Sequence, residues 1–295
     1  MWVLFALLSA ICLGFYDVNK KRALTDNSIT GVLTISILVS SALLLTAWAI
    51  GLIDVPSVDL RTHGFIFIKS CLVLTSWICA YAATKHLSLS VVSPMQATRP
   101  MWTLAGALII FGEQLNGWQW TGVACALGSV FLFSFAETKK ADNRRLIKED
   151  KRYYILLALA VLTGSASGLY DKYMMRLYDH NAVQVYYTLY QALLMCGIWF
   201  IHHLRQKRSG TPTPLRWRWE IVAISVFLVL SDYVYLVALS YPESLIAVVS
   251  TIRRAGTIIP FLYGLIFLHE KDPWKKLLCL TGILTGLVFL LIGSL

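Results

Sequence analysis

The chain has 295 residues, of which 57% are hydrophobic and only 14% are charged. With a mean hydropathy of +0.66, this composition excludes an ordinary soluble domain and predicts a protein that lies in a lipid bilayer. A formal net charge of +10 would also suit nucleic-acid binding, unless the basic residues record the orientation of a membrane protein.

Ten apolar runs are long enough to cross about 30 Å of hydrocarbon as helices. In chain order we predict them at 2–23, 28–52, 64–84, 88–112, 117–136, 153–176, 182–203, 219–241, 244–267 and 275–294. No basic residue precedes the first run and no small-residue cleavage site follows it, so we interpret it as a retained helix. The predicted fold is an all-α integral membrane protein with ten transmembrane helices.

The second half of the sequence repeats the first. Three matched features mark the repeat: Gly14-Phe15-Tyr16-Asp17 with Gly168-Leu169-Tyr170-Asp171, Ser76 with Ser231, and Arg99 with Arg254. An acidic residue also closes the fourth and the ninth predicted helix, Glu113 and Glu270. Two apolar halves of this kind are typical of transporters built from internal repeats.

Each half holds five predicted helices, an odd number, so the second half enters the membrane in the opposite sense from the first. We therefore predict a 5+5 inverted repeat. The first repeat spans 1–137, a basic cytoplasmic linker spans 138–152, and the second repeat spans 153–295.

Basic residues are distributed unevenly between the two sets of loops. Loops that follow odd-numbered helices carry nineteen lysines and arginines, whereas the other side carries three, Arg61, Lys172 and Arg176. By the positive-inside rule the odd-numbered loops face the cytoplasm. The basic charge then reflects topology and contact with anionic lipid headgroups, and we expect no nucleic-acid partner. In a prokaryote the location would be the plasma (inner) membrane.

A Gly-Glu or His-Glu pair closes the fourth and ninth predicted helices, at Glu113 and Glu270, and one more Gly-rich helix follows each. This pattern resembles the EamA-type branch of the drug/metabolite transporter superfamily, and the resemblance covers essentially the whole chain. The first repeat has Gly122 and Gly128, whereas the second has Cys279 in place of Gly122. The resemblance implies alternating access around a central cavity. Known members of the superfamily move amino acids, sugars, nucleotide sugars and cations, so the resemblance does not identify the substrate.

Polar residues at the centre of the predicted helices are the candidates for substrate binding, because an ionisable group in hydrocarbon is kept mainly where it faces a cavity or a partner. Arg99 and Arg254 occupy equivalent repeat positions, so two-fold symmetry brings them together near the midplane. Gln96 lies one helical turn before Arg99. Ser250 lies one turn before Arg254, so each arginine belongs to a polar stripe that predicts a wet cavity. Burial of both arginines in structural ion pairs is the alternative.

Other polar and aromatic residues of the helices complete the predicted site. The further substrate contacts lie on the third and seventh helices: Trp77, Tyr81, Tyr190 and Gln191. Arg253 projects about 100° away from Arg254 around its helix, so we predict a structural ion pair between Arg253 and Asp232. Basic residues outnumber acids within the helices, which favours an anionic or zwitterionic substrate.

The repeated Tyr-Asp pairs, Tyr16 with Asp17 and Tyr170 with Asp171, lie within the first and sixth predicted helices. Three interpretations of the aspartates stay open: sites for a coupling proton, anchors of helix ends, or gate residues that pair with Lys20, Arg22, Lys172 or Arg176. Lys69 lies close to the start of the third predicted helix, from which its ammonium can reach the headgroups.

A membrane enzyme and a lipid flippase are the two alternatives to a solute transporter. A polytopic membrane enzyme should carry a cluster of His, Asp or Glu at one interface, whereas the longest loops, 137–152 and 205–218, are short and basic. The six cysteines occur singly and predict no metal site, and no Walker-type loop is present, so we expect no catalysis and no cofactor. A lipid flippase or scramblase with a groove open to lipid stays an alternative.

The sequence therefore predicts a secondary transporter that moves a small polar organic metabolite, such as an amino acid, a carboxylate or a phosphorylated compound. Its partners would be this solute, membrane lipids and, where transport is coupled, protons. The assembly would be a monomer or a homodimer.

The charge distribution yields a test of topology. In a background without native cysteines, single cysteines at Lys140 and Ser209 should be protected from impermeant thiol reagents in intact cells, whereas one at Ser57 should be labelled. Permeabilised cells, in which all three should react, provide the control. The reverse pattern would contradict the assignment of the loops to their sides.

Overall fold

The structure is a computed structural model that describes residues 1–24, 27–86, 95, 98–141, 151–209, 216–257, 259, 263 and 273–293. All regular secondary structure in these residues is helical. The helices are α1 Trp2–Leu24, α2 Ile29–Ala49, α3 Leu60–His86, α4 Arg99–Ile110, α5 Gly117–Ala141, α6 Lys151–Leu177, α7 His180–Ser209, α8 Trp219–Ser240, α9 Ile246–Arg254 and α10 Pro273–Ile292, with a 3₁₀ turn at Ala255–Thr257 after α9.

Most of these boundaries lie close to those predicted from the sequence. Five helical stretches are long and apolar enough to cross a membrane: Trp2–Lys20, Thr30–Ala49, Leu60–Ala80, Lys151–Leu177 and Trp219–Ser240. The predicted linker at 138–152 begins within α5 and ends within α6, and residues 142–150 lie outside the described residues. So do most of 88–97 and of 258–272, which include the predicted closing residue Glu270.

Helix α3 begins at Leu60, earlier than predicted, because Asp59 caps its first turn. The Asp59 carboxylate accepts hydrogen bonds from the Thr62 amide at 3.2 Å and from the Thr62 hydroxyl. The first of these satisfies an amide that a helix start leaves without a partner. The hydroxyl hydrogen bond lowers the pKa of the Asp59 carboxyl below its usual range. The early start places the polar residues of α3 further from the end of the helix.

The contacts between helices follow a two-fold relation: if each helix is replaced by its counterpart in the other half, the same helix pairs are in contact. Helix α1 packs along α8, and α6 packs along α3 in the same way. Helix α4 contacts α6 as α9 contacts α1, while α2 packs on α7 and α5 on α10. This two-fold relation among the helices fits the two five-helix repeats.

Serines that are equivalent in the two repeats join equivalent helix pairs. Ser76 of α3 donates a hydrogen bond to the carbonyl oxygen of Ala160 in α6 at 2.8 Å. Ser231 of α8 donates to the carbonyl oxygen of Ser9 in α1 at 3.0 Å. A small hydroxyl side chain permits close approach of two membrane helices and adds an interhelical hydrogen bond. The sequence match between the serines therefore has a packing role.

Glycines allow α5 and α10 to approach closely. A Cβ added to Gly122 would lie 2.8 Å from the carbonyl oxygen of Gly286, and one added to Gly286 would lie 2.8 Å from that of Gly122. Real Cβ atoms essentially never come so close, so any larger residue would separate the two helices. Gly122 is thus matched by Gly286 in space, although Cys279 is its counterpart in sequence.

Glu113 of the first repeat caps a helix of the second. Its carboxylate accepts hydrogen bonds from the amides of Ile246 at 2.7 Å and Ala247 at 3.1 Å, the first two residues of α9. Free amides and the helix dipole both stabilise negative charge at a helix start. Burial raises the pKa of the Glu113 carboxyl above its usual range, although these two hydrogen bonds act in the opposite direction.

Lys172 holds the turn that leads into α9. Its fully buried ammonium donates to the carbonyl oxygens of Leu239 and Tyr241, both at 3.3 Å, and to the Ser244 hydroxyl at 2.5 Å. These contacts use all three donors of the ammonium. In this conformation Lys172 lies within α6 and its ammonium is bound to the turn before α9. We call this end of the bundle, where α4 finishes, the Glu113 end.

The Glu113 cap can be tested by its effect on stability. Glu113→Ala should lower the free energy of unfolding by about 2 kcal/mol, because two amides at the start of α9 lose a charged acceptor. Glu113→Gln, which keeps one carbonyl acceptor, should cost less. Glu243→Ala removes an exposed carboxylate from the neighbouring turn and is the matched control. Equal thermal unfolding of the Glu113→Ala and Glu243→Ala proteins in detergent would contradict the cap.

Candidate functional site

A buried ion pair joins α3 and α6. The Lys69 ammonium donates a hydrogen bond to the Asp171 carboxylate, and only 4% and 10% of these side chains are exposed. Lys69 lies nine residues after the start of α3, which is about 13 Å along the helix from its first residue. The prediction that Lys69 reaches the headgroups is therefore wrong, because α3 begins earlier than predicted.

A second ion pair joins α8 and α9. Arg253 Nη2 lies 2.8 Å from Asp232 Oδ1. Both cations also face an aromatic ring: the guanidinium carbon of Arg253 lies 4.0 Å from the centre of the Tyr235 ring, and the Lys69 ammonium lies 4.4 Å from that of Tyr187. A carboxylate on one side and a ring face on the other together offset the cost of burying each cation.

The Arg99 guanidinium has no hydrogen-bond acceptor among the residues that the structure describes. Its backbone carbonyl accepts a hydrogen bond from the Ser165 hydroxyl at 2.9 Å, which fixes α4 against α6. The guanidinium lies against Gly164 of α6, since a Cβ added there would overlap its Nη2 and Cζ atoms. Arg254 repels this group electrostatically and Asp171 attracts it. A half-buried arginine of this kind can bind an anion.

Arg254, the repeat equivalent of Arg99, is half-buried at the end of α9. Asp17 of α1 attracts it electrostatically, and the adjacent Arg253 repels it. Asp17 is therefore related to Arg254 as Asp171 is related to Arg99. Each arginine thus has the aspartate of the other repeat among the charges that act on it.

The two Tyr-Asp pairs have different surroundings. Asp17 forms an ion pair with Lys20 at 2.8 Å, and the Lys20 ammonium lies 4.7 Å from the centre of the Tyr16 ring. The Tyr170 hydroxyl donates to the carbonyl oxygen of Phe65 at 3.2 Å. Of the two aspartates only Asp171 is buried, with Lys69 as its partner, whereas Asp17 is half-buried.

The other predicted partners of the aspartates contact different groups. Arg22 lies 3.3 Å from Glu220, which joins the cytoplasmic ends predicted for α1 and α8. The Arg176 guanidinium lies 4.7 Å from the centre of the Phe111 ring. In this conformation neither arginine is bonded to Asp171, and the three interpretations of the aspartates stay open.

Four residues predicted to contact the substrate differ in whether their side chains are already engaged by other groups of the protein. Gln191 is buried, and its Nε2 has no partner within hydrogen-bond distance among the described residues. The Tyr190 hydroxyl lies 3.1 Å from Nδ1 of His63. Ser250 is half-buried and donates to a carbonyl of its own helix. Trp77 packs against an apolar cluster of α2, α3 and α7, which does not favour substrate contact.

Two predicted residues lie outside what the structure describes, Gln96 and the side chain of Tyr81. Conversely, sequence analysis missed Gly164, Tyr187 and Tyr235. Gly164 carried a signal, since it begins a Gly-x-x-x-Gly pattern with Gly168, but the pattern alone suggests helix packing. The tyrosines carried none, because nothing in the sequence shows which ring faces a cation.

The two repeats also match a known family. The sequence profile of the EamA-like transporter family matches residues 1–135 and 151–292, the two halves of the bundle. The chain belongs to this family. Its members are transporters, and with its apolar helices the chain is an integral membrane protein that transports a small solute.

The fold is also found in a solved structure. A crystal structure of a protein with 12% sequence identity superposes with a TM-score of 0.77, covering 98% of this chain and 95% of that one. At this identity the likeness concerns the fold alone. No curated protein matches the sequence.

The Lys69 and Asp171 pair predicts a non-additive effect on stability. Lys69→Met or Asp171→Asn alone leaves a buried charge without its partner and should cost about 3–5 kcal/mol. The double variant Lys69→Met/Asp171→Asn leaves no charge and should be more stable than either single variant. Thermal unfolding in detergent measures this difference, with the more exposed Asp17 and Lys20 pair as control. Additive losses at Lys69 and Asp171 would contradict a buried pair.

Proposed function

We propose that this transporter is a secondary carrier that moves a small polar organic metabolite, anionic or zwitterionic, by alternating access to a cavity at the centre of the bundle. The observation that carries the proposal is Arg99, whose guanidinium has no acceptor among the described residues. A cation in hydrocarbon without a counter-charge is costly. Water and an anionic ligand at Arg99 would remove most of that cost.

The two ion pairs support a cavity lined by protein. Their four charged residues come from α3, α6, α8 and α9, and each cation also faces a tyrosine ring of a neighbouring helix. A lipid flippase would need a groove open to the bilayer, where these groups would face hydrocarbon. The carrier is therefore favoured over this alternative.

We assign Asp17 and Asp171 to the gates. They are repeat equivalents, and each acts electrostatically on one of the two central arginines. An anion bound at Arg99 and Arg254 would weaken both attractions, and so favour rearrangement of the ion pairs that hold the two aspartates. A coupling proton would act on the same carboxylates, because protonation removes the charge on which each pair depends.

The first test is a thermal-shift screen of the purified protein against carboxylates, phosphorylated compounds, amino acids and quaternary ammonium compounds. A ligand that binds only the folded state raises the unfolding temperature. Anionic or zwitterionic compounds should do so, and Arg99→Ala should abolish the effect. Arg254→Lys should weaken it, because lysine keeps the charge and loses the two parallel hydrogen bonds. Arg61→Ala, at an exposed arginine, is the control. A quaternary ammonium compound as the tight ligand would contradict the proposal.

The gate assignment makes a separate prediction. Asp17→Asn should slow solute exchange in proteoliposomes about tenfold while equilibrium binding changes by only a few-fold, since the aspartate affects switching between states rather than ligand contacts. Binding of a radiolabelled ligand from the screen, measured on the same preparation, separates the two effects. Weakened binding with normal exchange would show that Asp17 is not a gate residue.

A further inference from the structure

The carboxylates of the central helices already have cationic partners. Asp171 is bonded to Lys69, and Asp232 to Arg253. Asp17 is paired with a lysine one turn further along α1. In the helices as far as the structure describes them, no aspartate is left to receive an ammonium group from a ligand. Among the described residues, the aspartates of the central helices therefore offer no unpaired carboxylate to a cation.

Arg99 differs from these aspartates, whose charges are paired. Its guanidinium has no hydrogen-bond acceptor in the described part of the chain. It can lie against α6 only because Gly164 has no side chain. The repeat equivalent of Gly164 in α1 is Ala10, so the same space is not available beside α1. Gly164 therefore leaves room for the Arg99 guanidinium beside α6, whereas Ala10 does not leave the same room beside α1.

We propose that the solute is an organic anion without an ammonium group, and that Arg99, lying on Gly164, binds its carboxylate or phosphate. This rests on the proposed function and narrows it, because amino acids are disfavoured. The planar guanidinium can donate two parallel hydrogen bonds to either anion, which fixes the orientation of the solute. Gly164 is a positioning residue that acts through Arg99.

An ammonium group on the solute would weaken its binding to the protein. It would lose its hydration, find both central carboxylates occupied and lie close to the positive charge of Arg99. To be accepted, it would have to break either the buried pair of Lys69 with Asp171 or the half-buried pair of Arg253 with Asp232. A polar group that is desolvated without a partner weakens binding by about tenfold or more.

Two matched pairs of compounds test the solute class on the full-length protein in lipid nanodiscs. The first pair is 2-oxoglutarate and L-glutamate, and the second is 2-hydroxyethyl phosphate and O-phosphoethanolamine. Within at least one pair, the compound without an ammonium group should bind about tenfold more tightly than its partner. The proposal is overturned if, in every pair that binds, the ammonium compound binds as tightly as its partner, or if neither ammonium-free compound binds at millimolar concentration.

Two alanine variants on the same face of α6 test the role of Gly164. Gly164→Ala should displace the Arg99 guanidinium and weaken binding of the preferred anion about tenfold. Gly168→Ala is the matched control, because a Cβ there would lie 3.8 Å from the Tyr235 hydroxyl and 4.0 Å from Cγ2 of Thr103, which are ordinary contacts. Equal affinities of the two variants would overturn the assignment of Gly164.

A further comparison separates positioning from general damage to the helix. In an Arg99→Lys background, Gly164→Ala should cost much less affinity than in the wild type, because the lysine has no planar guanidinium to lie on the glycine. An equal cost in both backgrounds would show that Gly164 acts independently of Arg99. If Arg99→Ala itself leaves anion binding unchanged, the proposed function fails, whereas failure at Gly164 alone leaves that function intact.

Discussion

The structure depends on one constraint, that a charge surrounded by hydrocarbon must find its counter-charge within the protein. Lys69 with Asp171 and Arg253 with Asp232 satisfy it in pairs, and tyrosine rings cover the cations. Arg99 does not satisfy it among the described residues. Because the charges of these two pairs are matched to each other, the proposed carrier would take the counter-charge of Arg99 from its solute.

The same constraint connects the centre of the bundle with its Glu113 end. Glu113 of the first repeat caps α9, the helix that carries Arg253. Lys172 holds the turn before α9, and its neighbour in sequence, Asp171, holds Lys69. A shift of α6 would therefore disturb both the central ion pair and the turn. In the proposed carrier, this link would allow solute binding to affect the closure of one end.

The fold was largely predictable from the sequence, because apolar runs and the repeat are properties of composition and spacing. The pairing of Arg253 with Asp232 is present as expected from their places in adjacent helices. Lys69 was misjudged, because the Asp59 cap that extends α3 is a local hydrogen bond outside the apolar run. The contact of the Arg99 guanidinium with Gly164 could not be predicted, since it depends on how closely α4 and α6 pack.

Access to the central cavity from both sides of the membrane is the claim on which the account depends most. A single cysteine at Ser250, in a background without native cysteines, can be exposed to an impermeant thiol reagent in right-side-out and in inside-out vesicles. The account predicts labelling in both preparations, because the cavity opens to each side in turn. Labelling in only one preparation, or only by a lipid-soluble reagent, would contradict it.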